Sequence, residues 1–188
     1  LTWLEAQCDH RGRSLGHCLV AELKRQHERL RMICQQVKAL EDERASALPE
    51  ALAAKAAALI RLRGIGPNFA GNLTGEVYWK DFSNRRQVAS YVGLAPSPWQ
   101  SGGLSRDQGI SKAGNRRARC TAIQLAWLWL RHQPDSELSQ WYRARVGDAR
   151  GRLRKIMIVA LARKLVVALW RYLETGLVPT GAVFKKGK

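Results

Sequence analysis

Acidic residues are scarce in this chain. Of 188 residues, 15 are Asp or Glu against 32 Lys or Arg, for a formal net charge of +17. The shortage is sharpest in the second half. Residues 101–188 hold 5 acids against 18 bases, whereas residues 1–100 hold 10 against 14. Metal-assisted chemistry needs clustered carboxylates. Asp107, Asp135, Glu137, Asp148 and Glu174 stand apart, mostly near helix starts, and only Asp107 sits inside a basic loop. Histidine is also sparse: His10, His17, His27 and His132 lie far from any candidate serine, which argues against a Ser–His–acid triad. The four cysteines (Cys8, Cys18, Cys34, Cys120) form no C-x-x-C pair and no zinc-ligand spacing, as expected of free thiols in a reducing compartment. The longest apolar stretch, Ile156 to Trp170, is broken by Arg163 and Lys164, which excludes it as a membrane span. The N-terminus has no basic-then-apolar leader. These absences predict a cytoplasmic protein without a membrane partner. Strand signals are few and internal repeats absent, so the fold class is mainly α.

What is present is positive charge concentrated in the second half, the footprint of a polyanionic partner. DNA is the partner this predicts; a merely solubilising surface is the plainer alternative.

Residues 1–16 show no period and read as a linker or remnant. Residues 17–48 carry a heptad. Leu23, Leu30 and Val37 fall on one position and Leu19, Ile33 and Leu40 on the other, with Gln26 as a polar interruption. This is a coiled-coil seam. It predicts either a homo-oligomer or an amphipathic helix packed within its own chain. Pro49 breaks it, and residues 51–176 read as a compact helical domain. An Ala-rich helix to Leu62 meets Gly64-Ile65-Gly66-Pro67, and a second helix runs from Pro67 to about Tyr78. Helix, G-I-G-P, helix is the pattern of a helix-hairpin-helix, in which Gly64 and Gly66 let the backbone approach a phosphate. Ser83 or Asn84 caps a short helix over 85–92. Prolines and glycines from 95 to 111 exclude a regular helix there and leave room for a small β-hairpin. Helices follow over about 115–132, 136–145 and 152–174, the last closed by Gly176. Residues 177–188 form a basic tail, expected to be disordered from Phe184.

The residues with the most chemical potential run from Tyr91 to Arg119. Gln100-Ser101-Gly102-Gly103 leads into Arg106, Lys112, Arg116, Arg117 and Arg119, opposed only by Asp107. A serine hydroxyl flanked by guanidinium groups can attack a phosphodiester, because the cations lower its pKa and stabilise the pentavalent phosphate. The same pattern suits a phosphate-binding loop in which Ser101 is a turn residue, and Ser97, Ser105 and Ser111 compete with it. In the last helix, Lys155, Arg163 and Lys164 interrupt an apolar segment, either snorkelling from a helix face or clamping phosphates.

The segments L-R-G-I-G-P, R-Q-V-A-S-Y-V-G-L-A-P, Q-S-G-G-L-S-R, G-I-S-K-A-G-N-R-R-A-R and A-L-A-R-K-L together resemble the C-terminal half of a family of insertion-sequence transposases that includes the Piv-type DNA invertases. The resemblance spans about residues 17–175. It implies a recombinase whose nucleophilic serine maps to Ser101. The G-I-S-K-x-G motif maps to Gly109 through Lys112 and Gly114, and A-R-K maps to Ala162, Arg163 and Lys164. It also implies an N-terminal RuvC-like domain with four acids that bind Mg²⁺, and, in some members, a guide RNA encoded by the element. Residues 1–16 are too few to hold such a domain. No cofactor is therefore expected in this chain, with Mg²⁺ confined to the missing domain. The chain reads as a fragment or a decayed element. The reading is the C-terminal part of a DNA transposase, with Ser101 as nucleophile. Arg106, Lys112, Arg116, Arg117, Arg119, Lys155, Arg163 and Lys164 hold phosphates, along with Gly64, Gly66, Gly102 and Gly103. The alternative is a non-catalytic nucleic-acid-binding or dimerisation module.

Overall fold

The computed structural model describes Trp3, residues 6–101 and residues 104–185; at residues 98–101 and 104–108 the description is of the backbone. The chain divides into two compact units, Leu1–Ala47 and Leu48–Lys188. In the first, the Asp9 carboxylate accepts from the Arg11 and Arg13 amides at 2.8 and 3.0 Å. The Arg13 guanidinium closes on it at 2.8 Å. These hydrogen bonds, the Arg13 amide first, hold the Asp9 carboxyl below its usual range. Helix α1 (His17–Ser46) follows and buries none of its residues. Leu19, Leu23, Leu30, Ile33, Val37 and Leu40, the heptad positions, are exposed along it.

The second unit is mainly helical. Helix α2 (Glu50–Arg61) turns into α3 (Pro67–Leu73), where Pro67 takes the first helical position and needs no N–H partner. A π-helical turn over Thr74–Tyr78 extends α3. The sequence predicts one regular helix to Tyr78. Its geometry changes at Thr74, whose buried hydroxyl donates back to the Ala70 and Gly71 carbonyls at 2.9 and 3.2 Å. Such back-bonding competes with the regular ladder and bends it. Helix α4 (Arg85–Tyr91) is capped by Asn84, whose Oδ1 accepts from the Arg86 and Gln87 amides, while Gln87 reaches back to the Ser83 amide. This reciprocal pair satisfies donors that a helix start leaves orphaned. Helices α5 (Arg116–His132) and α6 (Glu137–Val146) start on side-chain caps from Asn115 and Ser136. Helix α7 (Arg152–Thr175) ends on Gly176, left-handed at φ 74°.

Between α4 and α5, strands β1 (Pro96–Ser101) and β2 (Leu104–Ile110) pair antiparallel. Pro96 faces Ile110 and Pro98 faces Asp107, so β2 carries one extra residue there. Gly109, at φ 82°, supplies the backbone that such a bulge requires.

The core is one apolar cluster. Ile158, Leu161, Leu165 and Leu169 of α7 meet Leu59, Leu62, Leu125 and Trp129, all buried. Burying each such side chain is worth about 2 kcal/mol. Tyr78 is wholly buried and donates to the Val166 carbonyl at 3.0 Å; burial pushes its phenol pKa far up.

Residues 183–185 are sewn into this unit. The sequence predicts disorder from Phe184, yet the Lys185 amide donates to the Arg61 carbonyl at 2.8 Å and the Lys185 ammonium to the Ile65 carbonyl at 2.8 Å. Fully buried Gln133 joins three segments. Its Nε2 donates to the Arg63 and Val183 carbonyls, and its Oε1 accepts from the Val183 amide, each at 2.8 Å. Buried polar partners left unpaired cost about 1–3 kcal/mol each. Gln133→Leu is therefore expected to destabilise the unit by about 3 kcal/mol, read from urea denaturation; a loss below about 1 kcal/mol would mean that water replaces the amide.

Candidate nucleic-acid interface

Helix α7 has to serve two surfaces. Ile158, Leu161, Ala162, Leu165, Val166, Leu169 and Tyr172 recur every three or four residues and are buried. On another face, Arg152, Lys155, Ile156, Val159, Arg163 and Arg171 follow the same period and line a groove of about 1530 Å³. This resolves the cations inside the apolar segment: Ala162 enters the core, Arg163 is half-buried at the groove and Lys164 is exposed on its wall.

The remaining groove walls come from distant segments. Arg85 and Arg86 stand at the start of α4, Lys112 on the loop after β2, and Leu138 and Trp141 on α6. Pro96, Gly109 and Ile110 bring in the hairpin's base. Eight basic side chains thus face one described acid, Glu137, across an apolar floor that includes Leu94, Val159 and Val167. The Lys164 ammonium lies 4.6 Å from the Trp141 ring centroid, and the Arg145 guanidinium lies 5.5 Å from it. An aromatic ring flanked this way holds two cations near one spot against their mutual repulsion.

Of the residues singled out by sequence, Lys112, Lys155, Arg163 and Lys164 meet in this groove. The others do not. Arg116 and Arg117 are exposed in the first turn of α5, at the positive end of the helix dipole, where cations are disfavoured. Glu76, from the π turn, offsets this: it accepts from Asn115 Nδ2 at 2.7 Å and pairs with Arg117 at 3.4 Å. Arg119 is half-buried, and its Nη1 donates to the Lys112 and Val92 carbonyls at 3.0 and 3.4 Å.

Gly64 and Gly66 lie in the α2–α3 turn, away from the groove lining. Gly64 takes φ 92°, and a Cβ there would stand 2.8 Å from the His132 side chain. Gly66 has open space around it. Ser101 ends β1, opposite Leu104, and Arg106 pairs with Trp99 along β2. The side chains of Ser101, Arg106 and Asp107, and all of Gly102 and Gly103, lie outside the described residues. Ser101 lies five residue steps along the strand from Pro96 at the groove, about 17 Å if extended. Ser101 thus belongs to the hairpin tip and Lys112 to its base.

Sequence reading missed Arg85, Arg86, Arg152 and Trp141. The period of α7 held the signal for Arg152, which shares a stripe with Lys155, Arg163 and Arg171. Nothing local to Arg85, Arg86 or Trp141 marks them. Among the described residues, no three His, Cys, Asp or Glu side chains cluster as metal ligands. No helix among them is long and apolar enough to cross a membrane.

The loop that presents Lys112 depends on two close backbone approaches. A Cβ on Gly114, at φ 137°, would stand 2.9 Å from the Gly93 nitrogen and 3.1 Å from the Ser90 carbonyl oxygen. Lys112 is the only described non-glycine residue with positive φ, at 57°, a conformation costing on the order of 1–2 kcal/mol.

The chain is similar to known proteins over most of its length. Residues 56–142, from α2 into α6, match the family model described as Transposase IS116/IS110/IS902 family. The chain is 51% identical over 185 residues to the transposase-designated protein y4rJ of Sinorhizobium fredii, covering 93% of this chain and 47% of that protein. It is 27% identical over 163 residues to the transposase for insertion sequence element IS1328 of Yersinia enterocolitica, covering 85% of this chain and 47% of that protein. A third relative, the transposase-designated y4qE of Sinorhizobium fredii, is 30% identical over 142 residues, covering 63% of this chain and 36% of that protein. The chain spans about half the length, or less, of these relatives.

The glycine geometry gives a paired expectation. Gly114→Ala should lower stability by at least about 2 kcal/mol in thermal denaturation, through strain and backbone collision. Gly66→Ala should stay within about 0.5 kcal/mol of the parent. Equal effects at the two sites would overturn this account of the crossing.

Proposed function

Because this chain carries a transposase domain of the IS116/IS110/IS902 family, we propose that its basic groove binds DNA and that Ser101 supplies the nucleophile for strand cleavage and transfer. The observation that carries the binding half is the set of eight cations opposed, among the described residues, by one acid on a single groove. Phosphates neutralise such a set and release the counterions condensed on the DNA. Guanidinium groups hold phosphate oxygens in pairs, which suits Arg85, Arg86, Arg152, Arg163 and Arg171 to fixing the backbone. Gly66 and the turn around it offer a further approach to a phosphate. A guide RNA presents the same phosphate chemistry and fits the same surface. The exposed heptad stripe of α1 supports a homo-oligomer formed by pairing with a second copy.

In the catalytic half, the Ser101 hydroxyl attacks a phosphodiester phosphorus. A phosphoseryl ester forms, the bond to one deoxyribose oxygen breaks, and that oxygen takes up the proton. Attack by a strand end then reverses the step and frees the serine. Arg106 and Arg116 stabilise the charge on the pentavalent phosphate. Supporting this assignment are the position of Ser101 at the end of β1 and the resemblance of its Q-S-G-G loop to the family's serine loop.

The test fuses this chain behind the amino-terminal half of the y4rJ relative and offers it nicked duplex DNA. An adduct on Ser101, detected by mass spectrometry and absent in Ser101→Ala while binding persists, is the expected result. Steeply salt-dependent binding with no adduct would reduce the chain to a binding module. Binding without salt dependence would remove the groove from the reading as well.

A further inference from the structure

We propose that Arg119 is a positioning residue: it acts by holding the backbone of Lys112 so that the Lys112 ammonium is presented to nucleic acid in the groove, rather than by touching phosphate itself. The inference rests on the reading of the groove as a DNA site.

Three observations converge on it. Lys112 keeps a left-handed backbone at φ 57° without being glycine, which persists only where the surroundings enforce it. The enforcing contacts are visible. The Lys112 amide donates to the Gly93 carbonyl at 3.3 Å, and its carbonyl accepts from Arg119 Nη1 at 3.0 Å. The same nitrogen also reaches the Val92 carbonyl at 3.4 Å, so one guanidinium ties the end of α4 to the loop. Finally, room for that guanidinium has been cleared: a Cβ on Gly93 would stand 2.5 Å from Arg119 Nη1. The arginine is half-buried, whereas the lysine it holds is exposed and lines the groove. Among the cations from Arg106 to Arg119, the sequence alone cannot separate these roles, because both residues are basic and lie seven positions apart.

The test is a thermodynamic cycle on DNA affinity measured across a salt series. Each phosphate contact contributes about 0.9 to the slope of log K against log salt. Lys112→Gln is expected to lower the slope by about 0.9, Arg119→Gln by the same amount, and the double variant by no more than either single one. Arg119→Lys, which keeps a donor for the Lys112 carbonyl, should retain most of the parental slope. A double variant that loses about twice as much would make Arg119 a phosphate contact and overturn the proposal. So would an Arg119→Gln slope equal to that of the parent. Amine acylation read by mass spectrometry guards against misfolding: in Arg119→Gln, DNA should no longer protect Lys112 but should still protect Lys155. Loss of protection at both lysines would show that Arg119 supports the whole fold and would also overturn the assignment. If the parent binds DNA steeply with salt yet Lys112→Gln leaves the slope unchanged, Lys112 is not a DNA contact and the proposal fails with the groove reading intact. If the parent shows no salt dependence, the groove reading itself fails.

Discussion

The second unit depends on one helix having two incompatible environments along its length. Helices α2, α4, α5 and α6 all pack on α7, which gives its apolar face to every one of them. Its other face carries Arg152, Lys155, Arg163 and Arg171 into a groove with a single described opposing acid. The buried half supplies the stability that lets the open half stay charged. Cations gathered on one surface repel one another, and self-repulsion of this kind weakens a compact state. The stacked Trp141 and the deep apolar contacts of Leu161, Leu165 and Leu169 counter that cost.

Elements governed by neighbours in sequence were legible before the structure. Asn84, one of two candidates with Ser83, and Ser136 are caps because short polar side chains satisfy orphaned amides one turn on, and Gly176 ends α7 because it takes a left-handed conformation freely. The hairpin was readable only as a gap in helix potential, since prolines and glycines exclude one structure without fixing another. The π turn at Thr74 was not legible, for its cause is a buried hydroxyl folding back on its own ladder. At the site, Lys112, Lys155, Arg163 and Lys164 were identified as charges. That they share a groove with Arg85, Arg86 and Trp141 depends on how α4, α6 and α7 pack, which no local pattern encodes. Lys185 departs from the expected disorder for the same reason: its amide and ammonium bond the Arg61 and Ile65 carbonyls, partners far away in sequence.

The basic segment from Arg106 to Arg119 illustrates how one composition conceals different roles. Lys112 reaches the groove, Arg117 is balanced by Glu76, and Arg119 spends its guanidinium on backbone carbonyls. Similar charge at neighbouring positions does not imply a common ligand. The glycines of the same stretch divide likewise: Gly109 bends a strand, whereas Gly93 and Gly114 let two backbone segments cross.

The bond between Lys185 and Arg61 also has a consequence for the order of events during synthesis. A ribosome delivers α2 and its turn well before the segment that closes over them. Until residues near Val183 and Lys185 clear the exit tunnel, the Arg63 and Ile65 carbonyls lack their final partners and Gln133 has only part of its hydrogen-bonding complement. The helices can collect beforehand, but the unit reaches its full cooperativity only once that segment has emerged. Contacts of such long sequence separation slow folding, so nascent chains stalled short of Val183 are expected to be the protease-sensitive species.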